Sequence, residues 1–469
     1  MNYSTTNCVK WIGVVLLCSL TSLANTASAQ TYDLAIKNVN LVDAVAGLRR
    51  NQSVYIRTDT IAEVVSAEVD YPAEKTIDAQ GKFLMPGLWD MHVHIVYEQD
   101  LIKAMPDLFL DYGITSVRDT GALLDKIAPE VERWQTMGAK APDLYFSGPL
   151  LDGSLVVYDG DGRPEIGISN SSVDAALASF ATLQAAGVHF IKIYELVSPD
   201  VFATLVEAAN AAELPIAAHI PLSMRAETAG PRVNSMEHLR NVDIACADLA
   251  DELHNTRREL LANPGKRNGY QLRSHLHSTQ RSIALPDADP MSPQCLKVIR
   301  SLTNTIQVPT LRLNTITRFS PAARQDWQAH LERLPQPVVQ NWLETAQRFA
   351  GQTSIPGNQL ADWSLKLIKA MAKEGVPIGA GTDTPIGQAI PGYSLHTELE
   401  RLVDAGLTTT QALHAATVMP AKFFSLEHRM GQIQPGMEAD LALLDADPLA
   451  DIRNTRSIKA VVSDGVQVR

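Results

Sequence analysis

Short runs of alternating apolar and polar residues occupy both ends of the chain. Residues 32–65 contain Y-D-L-A-I-K-N-V-N-L-V-D and S-V-Y-I-R-T-D-T-I-A-E-V-V, and residues 439–469 contain A-D-L-A-L-L-D and I-K-A-V-V-S-D-G-V-Q-V-R. A period of two predicts strands with one buried face, and the Asp464-Gly465 pair predicts a hairpin turn. We therefore expect a small β-sandwich domain that residues 30–85 and 421–469 build together.

Between these ends, strand-like runs alternate with helix-like patterns. The run V-D-A-A-L-A-S-F-A-T-L-Q is followed, after Gly187, by the apolar strand V-H-F-I-K-I-Y-E, and a further helix leads to L-P-I-A-A-H-I. The first run predicts a helix with one apolar face made of Val173, Leu177, Phe180 and Leu183. Strand–helix–strand order predicts parallel pairing, so the expected fold class is α/β, a (β/α)8 TIM barrel over residues 86–420.

Two long segments exceed what such a barrel needs. Residues 150–170 are rich in Asp and Gly, and residues 246–305 form a polar insertion whose His275 and His277 we assign to a loop. Cys246 and Cys295 flank part of this insertion. Their spacing leaves two alternatives open, a disulfide or two separate buried thiols.

The first 29 residues have the pattern of a secretory signal peptide. Lys10 precedes the apolar run W-I-G-V-V-L-L-C-S-L, which is too short to span a membrane, and A-S-A-Q follows. We expect cleavage after Ala29, a periplasmic or secreted protein, and no membrane attachment afterwards.

The amino-acid composition indicates which classes of binding partner are expected. The 469 residues are 45% hydrophobic and 20% charged, with a formal net charge of −12, which is typical of a globular protein and disfavours binding to nucleic acid or anionic lipid. A small molecule or dipeptide is the expected substrate. Whether the chain forms homo-oligomers is left open.

Histidines, a lysine and an aspartate lie at or near the ends of several predicted strands. His92 and His94 in P-G-L-W-D-M-H-V-H point to the same side of a strand, because side chains alternate. Lys192 and Tyr194 share one face of V-H-F-I-K-I-Y-E by the same argument. An ammonium group inside an apolar strand needs a partner or must lose its charge. His219, His238 and Asp383 follow other strands, so these side chains can converge on one barrel mouth as a metal site.

Together these motifs resemble the metal-dependent amidohydrolases, in particular their imidazolonepropionase-like and prolidase-like (Xaa-Pro dipeptidase-type) branch. The resemblance rests on the H-x-H after P-G-L-W-D, the lysine in F-I-K-I-Y, the histidines in A-A-H and M-E-H-L, and G-T-D. It extends to A-L-H-A-A-T-V-M-P-A and G-Q-I-Q-P-G-M-E-A-D-L-A-L-L-D-A-D-P-L near the C-terminus.

The resemblance implies two divalent metal ions, for which histidine-rich sites favour zinc. His92 and His94 would hold the more buried ion and His219 and His238 the more exposed one. Lys192, carbamylated by carbon dioxide, would bridge them. Asp383 would bind one ion and shuttle a proton between a metal-bridging hydroxide and the leaving amine.

The expected function is hydrolysis of an amide bond in a dipeptide or N-acyl amino acid, with Tyr194 and Arg240 as candidate substrate-binding residues. A cyclic amide, a lactone or a phosphoester are alternatives for the same site, because substrate choice lies in the loops. A non-catalytic binding scaffold is a further alternative. His396 and Glu398 are assigned to a solvated helix face.

Overall fold

The computed structural model describes residues 31–286, 288–352 and 354–469. The predicted signal peptide lies outside these residues. The strands are β1 Tyr32–Asp43, β2 Gly47–Arg57, β3 Thr60–Ser66, β4 Ala73–Asp78, β5 Phe83–Pro86, β6 Leu88–Val93, β7 Ile114–Asp119, β8 Asp143–Phe146, β9 Leu150–Asp152, β10 Gly167–Ser169, β11 Ile191–Ile193, β12 Ile216–Ala218, β13 Ser235–Glu237, β14 Ile306–Val308, β15 Leu441–Leu444, β16 Ile458–Ser463 and β17 Val466–Gln467.

The α-helices alternate with the central strands and fill the insertion. They are α1 Met105–Asp111, α2 Leu124–Met137, α3 Val173–Ala185, α4 Pro199–Ala211, α5 Ala226–Ala229, α6 Val242–Ala245, α7 Ala250–Ala262, α8 Gly269–Ala284, α9 Pro293–Ser301, α10 Leu311–Asn314, α11 Trp327–Leu331, α12 Gln336–Phe349, α13 Ile355–Lys373, α14 Tyr393–Asp404 and α15 Thr409–Phe423. Among the described residues, no helix is both long and apolar enough to cross a membrane.

Both chain ends contribute to one eight-stranded sheet. Its order is β17-β16-β15-β5-β1-β2-β3, and β4 pairs in parallel with β1. The ends meet where β15 runs antiparallel to β5, and the buried side chains of Leu34, Val54 and Leu441 belong to one apolar cluster. The hairpin predicted at Asp464-Gly465 is confirmed, since it joins β16 to β17. The sandwich form of this unit remains a prediction.

The central strands form a curled parallel sheet. β6, β7 and β8 pair in that order, and β9, β11, β12, β13 and β14 follow, with β10 beside β9. His189 N donates to Phe146 O and joins the two groups of strands. On the other side, Gly379 N donates to Gln307 O and Met91 N donates to Ala380 O, so residues 379–380 connect β14 to β6. A complete barrel of eight units stays a prediction.

Side-chain alternation in β11 agrees with the sequence argument. Ile191 and Ile193 pack in the main apolar cluster with the surrounding helices. Phe190 lies in a separate cluster inside the curled sheet with Met91 and Val308, and Lys192 lines the cavity above it. The inward direction of Lys192 is therefore confirmed.

The predicted apolar face of α3 is partly wrong. Val173 and Leu177 are exposed to 38% and 44%, whereas Ala176, Phe180 and Leu183 are buried. The buried residues follow an i, i+4, i+7 spacing, and Val173 and Leu177 lie at the edge of that stripe.

The insertion is helical rather than a loop. His275 and His277 both lie in α8, which begins with a capping box between Asn268 and Gln271. Cys246 and Cys295 form a disulfide across 49 residues, which closes the base of the segment that carries α7 and α8.

The assignment of His396 and Glu398 to a solvated helix face was also wrong. Both are fully buried in α14. Glu398 accepts hydrogen bonds from Leu311 N (2.8 Å) and Arg312 N (2.6 Å), and His396 Nε2 is 3.0 Å from Tyr112 O. These partners are remote in sequence, so the helix pattern alone did not show them.

Candidate metal and substrate site

A cavity of about 150 Å³ lies at the carboxyl ends of the central strands. All eight candidate residues taken from the sequence line it: His92, His94, Lys192, Tyr194, His219, His238, Arg240 and Asp383. Tyr158, Arg273 and a set of apolar residues complete the wall. The eight candidate residues come from five separate stretches of sequence and meet in one place, as expected for strand ends that share one edge of a sheet.

Each of the four histidines has its Nδ1 atom occupied by a neighbour. His92 Nδ1 donates to Glu237 Oε2 (2.6 Å) and His94 Nδ1 to Gly121 O (3.1 Å). His219 Nδ1 donates to Glu195 Oε1 (2.8 Å) and His238 Nδ1 to Thr310 Oγ1 (2.6 Å). These acceptors set the tautomer, so each Nε2 keeps a lone pair, which is the usual arrangement of metal-binding histidines.

Two groups of donors are close enough to hold a metal ion. One consists of His92, His94 and Asp383, and the other of His92, His219 and His238; within each group the donor atoms lie within 4.8 Å of one another. All five residues are buried. Imidazole nitrogens with one carboxylate form a donor set suited to zinc and related divalent ions.

Lys192 lies fully buried among these groups. Its Nζ has no hydrogen-bond partner among the described residues, and burial lowers its pKa to about 8, with Glu237 opposing and Arg118 adding to that effect. An unpartnered buried amine is costly to a folded protein. Its position fits a chemical change that turns the amine into a metal ligand.

The turn that carries Asp383 is held from two sides. Asp90 accepts hydrogen bonds from Thr382 N (2.9 Å) and Thr382 Oγ1 (2.6 Å), and Arg312 donates to Thr382 O, Ile386 O and Gly387 O. These contacts maintain Asp383 at a φ of 62°, a left-handed conformation that few non-glycine residues adopt.

The charge of Asp383 is also set by its neighbours. Burial would raise the pKa of its carboxyl group, but the neighbouring imidazoles of His238, His92 and His94 hold that pKa well below the usual range. Asp383 Oδ1 lies 3.3 Å from His92 Nε2 and 3.2 Å from His94 Nε2. It therefore remains a carboxylate in contact with the candidate metal-binding histidines.

A buried ion pair supports His92 from behind. Glu237 accepts a hydrogen bond from Arg118 Nη2 (2.8 Å) as well as from His92, and Arg118 Nε donates to Met91 O (2.6 Å). Arg118 and Glu237 are both fully buried. The pair fixes the imidazole orientation without contacting the cavity.

Glu195 lies beside four polar side chains, three of which line the cavity. It binds His219, accepts hydrogen bonds from Arg273 Nε (3.3 Å) and Nη2 (3.2 Å), contacts His277 Nε2, and lies 3.6 Å from Arg240 Nε. Although burial opposes it, the charge of Arg273 and the contacts with His277 and His219 hold the pKa of Glu195 well below its usual value. Burial lowers the pKa of His277 to about 3, so that imidazole is neutral.

Sequence reasoning missed several of these supporting residues. Asp90 had a local signal, since it shares a strand face with His92 and His94. Arg273 and His277 had a weaker signal. They lie four residues apart on a helix whose start is indicated by the capping box of Asn268 and Gln271. Nothing in the sequence linked Arg118 to Glu237 or connected α8 to Glu195.

The fold and the site together define a mixed α/β protein with a candidate metal site of four histidines and one aspartate at its strand ends. Residues 318–469, which include Asp383, match the amidohydrolase family. This match covers about a third of the chain and agrees with the resemblance inferred from the motifs.

Three relatives illustrate the similarity. Ochratoxinase of Aspergillus niger is 38% identical over 104 residues, which cover 22% of this chain and 21% of that protein. L-hydantoinase of Paenarthrobacter aurescens is 22% identical over 437 residues, 89% of this chain and 86% of that protein. The crystal structure of a Xaa-Pro dipeptidase with bound methionine in its active site has a TM-score of 0.65 at 18% identity, over 93% of this chain and 99% of the other.

These comparisons differ in what they support. The ochratoxinase match spans about a fifth of that protein, and the dipeptidase structure shares the fold at low identity. The structural similarity therefore supports the fold of this chain.

Proposed function

We propose that this protein is a metal-dependent hydrolase that cleaves the amide bond of a dipeptide or N-acyl amino acid. The observation that carries the proposal is the set of four histidines whose Nδ1 atoms are all engaged. Their Nε2 atoms share one cavity with Asp383, which lies within 3.9 Å of those of His92, His94 and His238, and with the unpartnered Lys192. Such a set has no structural use that an apolar core would not serve better.

His92, His94 and Asp383 would hold one divalent ion and His219 and His238 a second, with a carbamate on Lys192 as the bridge. Zinc is the ion we favour, from the imidazole-rich donor set. Bound divalent ions polarise a carbonyl oxygen and supply nucleophilic water at neutral pH. A carbamate on Lys192 would replace a buried cation by an anion, which suits the surrounding ions.

The residues of the chain then have separate tasks. Asp383 accepts a proton from the attacking water and returns it to the leaving amine, because it is a carboxylate held at the cavity by Asp90 and Arg312. Tyr194, whose ring centroid lies 4.5 Å from that of His219, and Arg240 orient the substrate. The central strands, predicted to close as a (β/α)8 barrel, keep these groups in place.

A screen of dipeptides and N-acyl amino acids tests the activity. The protein is purified, its metal content is measured, and it is assayed after addition of zinc or manganese with bicarbonate. We expect amine release by the wild type and a loss of at least about 100-fold in Asp383→Asn. If the purified protein contains well under one equivalent of metal and shows no activity after reconstitution, the hydrolase proposal is contradicted and a binding scaffold is favoured.

A cyclic amide is the second candidate substrate. Similarity to an L-hydantoinase over 89% of this chain favours it, and the same donors would serve a ring-opening hydrolysis. Turnover of hydantoins without turnover of dipeptides would select this alternative.

We further propose that the mature protein acts in the periplasm or outside the cell. The signal-like pattern of residues 1–29 and the disulfide between Cys246 and Cys295 support an oxidising compartment. N-terminal sequencing of the exported protein checks this, with Gln30 as the expected first residue. Retention of residues 1–29 in the cytoplasmic fraction would contradict it.

A further inference from the structure

Two arginines from different parts of the chain enter the cavity on the same wall. Arg240 follows His238 by two residues, and Arg273 comes from α8 of the insertion, yet both line the cavity and both approach the same oxygen, Glu195 Oε1. Their side chains are only 13% and 14% exposed. Leu313 and Ile386 contribute apolar surface to the same cavity.

The charges on this wall do not balance. Within the described part of the chain, Glu195 is the carboxylate that contacts both guanidinium groups, and it offers one negative charge against two positive ones. The two guanidinium groups therefore share a single carboxylate on this wall, which matches only part of their combined positive charge.

The hydrogen-bonding capacity of the two arginines is also incompletely used. Arg240 Nε is buried and has no hydrogen-bond partner among the described residues. Arg273 donates hydrogen bonds from Nε and Nη2 to Glu195. Its Nη1 makes no hydrogen bond to any of the residues that the structure describes. A guanidinium group presents five donors in a planar fork that matches a carboxylate.

We propose that Arg240 and Arg273 together bind the free carboxylate of the substrate, so that α8 of the insertion selects substrates with that group. This inference rests on the proposed amide hydrolysis and restricts its substrates to those with a free carboxylate. The ligand class is a dipeptide or N-acyl amino acid with an unblocked C-terminal carboxylate. The corresponding carboxamide, which has no charge to offer the two arginines, is a poor ligand.

A purely structural role for Arg273 makes a different prediction. If Arg273 only holds Glu195 in place for His219, its loss affects all substrates to the same degree. If it binds the carboxylate, its loss affects acids and leaves amides unchanged. The ratio of the two kcat/KM values, measured in one preparation, separates the two roles and does not depend on the fraction of folded enzyme.

The experiment compares each N-acetyl-L-amino acid and dipeptide with its C-terminal carboxamide in metal-loaded protein. Both hydrolysis and calorimetric binding are measured for the wild type, Arg273→Met and Arg258→Met. Arg258 is exposed on α7 of the same insertion, so its variant removes the same charge from the same segment without touching the cavity.

We expect the wild type and Arg258→Met to prefer acids over carboxamides by at least about 30-fold, and Arg273→Met to lose most of that preference, as for removal of one partner of a desolvated charge pair. Equal affinity for acids and carboxamides in the wild type would overturn the inference, whether or not hydrolysis occurs. An unchanged ratio in Arg273→Met would overturn the role of Arg273. Preferential binding of acids without hydrolysis of any member would instead overturn the proposed function and support the inference.

Discussion

An unmodified lysine is poorly compatible with the surroundings of Lys192. It is fully buried, its Nζ has no hydrogen-bond partner among the described residues, and its pKa falls to about 8 because of burial. Carbamylation requires the neutral amine, which such a pKa makes available near neutral pH. The environment therefore favours the modification that the proposed site needs.

The first prediction concerns this lysine. Lys192→Ala should lower kcat/KM by at least about 100-fold, because the proposed carbamate bridge between the metal ions would be lost. Millimolar acetate should restore part of the activity by supplying a carboxylate in the vacated space, and acetate should not raise the activity of the wild type. Full activity of Lys192→Ala without acetate would show that the lysine is only structural.

The second prediction concerns the ion pair behind His92. Glu237→Gln leaves Arg118 as an uncompensated buried cation, so the free energy of unfolding should fall by about 3–5 kcal/mol. Metal affinity should fall by about 10–100-fold, because His92 loses its charged acceptor. Urea denaturation and metal titration measure the two effects.

A matched control exists at the surface. Glu374 pairs with Arg300 at 2.7 Å, and the Arg300 side chain is 61% exposed, so Glu374→Gln should leave the free energy of unfolding nearly unchanged. Equal losses in the two variants would mean that burial does not govern the Glu237 pair.

At the scale of elements, the insertion is a helical unit that supplies part of the cavity wall. α8 provides Arg273 and His277, and the disulfide between Cys246 and Cys295 closes the base of the segment. The position of two polar groups in the site thus depends on a segment that lies outside the strand–helix repeat.

The third prediction tests that disulfide in the mature chain. Replacing both cysteines by serine should lower the free energy of unfolding by about 2–4 kcal/mol, because the unfolded chain gains freedom when the loop is opened. Denaturation with and without reductant measures the effect, and reductant should not change the double variant. A wild-type unfolding midpoint that reductant leaves unchanged would contradict the pairing.

For the whole molecule, the candidate metal site connects strands that are far apart in the chain. The proposed ligands lie in or directly after four strands, β6, β11, β12 and β13, or on the turn at Asp383. A bound ion would therefore link the first and last parts of the curled sheet. Occupancy should affect global stability as well as activity.

The fourth prediction follows from this arrangement. Removal of metal by a chelator should abolish activity and lower the unfolding midpoint, and metal at 100 times its Kd should restore about 2.7 kcal/mol of stability. His219→Asn with His238→Asn should show a smaller shift. An unfolding midpoint independent of metal would argue against ion binding at these strand ends.

Much of the candidate site could be predicted because its signals are local. The two-residue period of a strand places His92 with His94 and turns Lys192 inward, and the Asp464-Gly465 turn needs only its own two residues. The motifs around His219, His238 and Asp383 likewise sit at strand ends that the apolar pattern reveals. All of these features depend on neighbours within a few positions.

Only the tertiary structure decided which groups support those residues. Arg118 and Glu237 are 119 positions apart, and Glu195 and His277 are 82 apart, so no periodic pattern relates them. The same holds for the burial of His396 and Glu398 and for the choice between a disulfide and two thiols. The sequence by itself determined the donor types and their inward direction, since backbone geometry is local. The structure decided tautomers, charge balance and the Arg240–Arg273 pair, since these depend on contacts that form when distant segments pack.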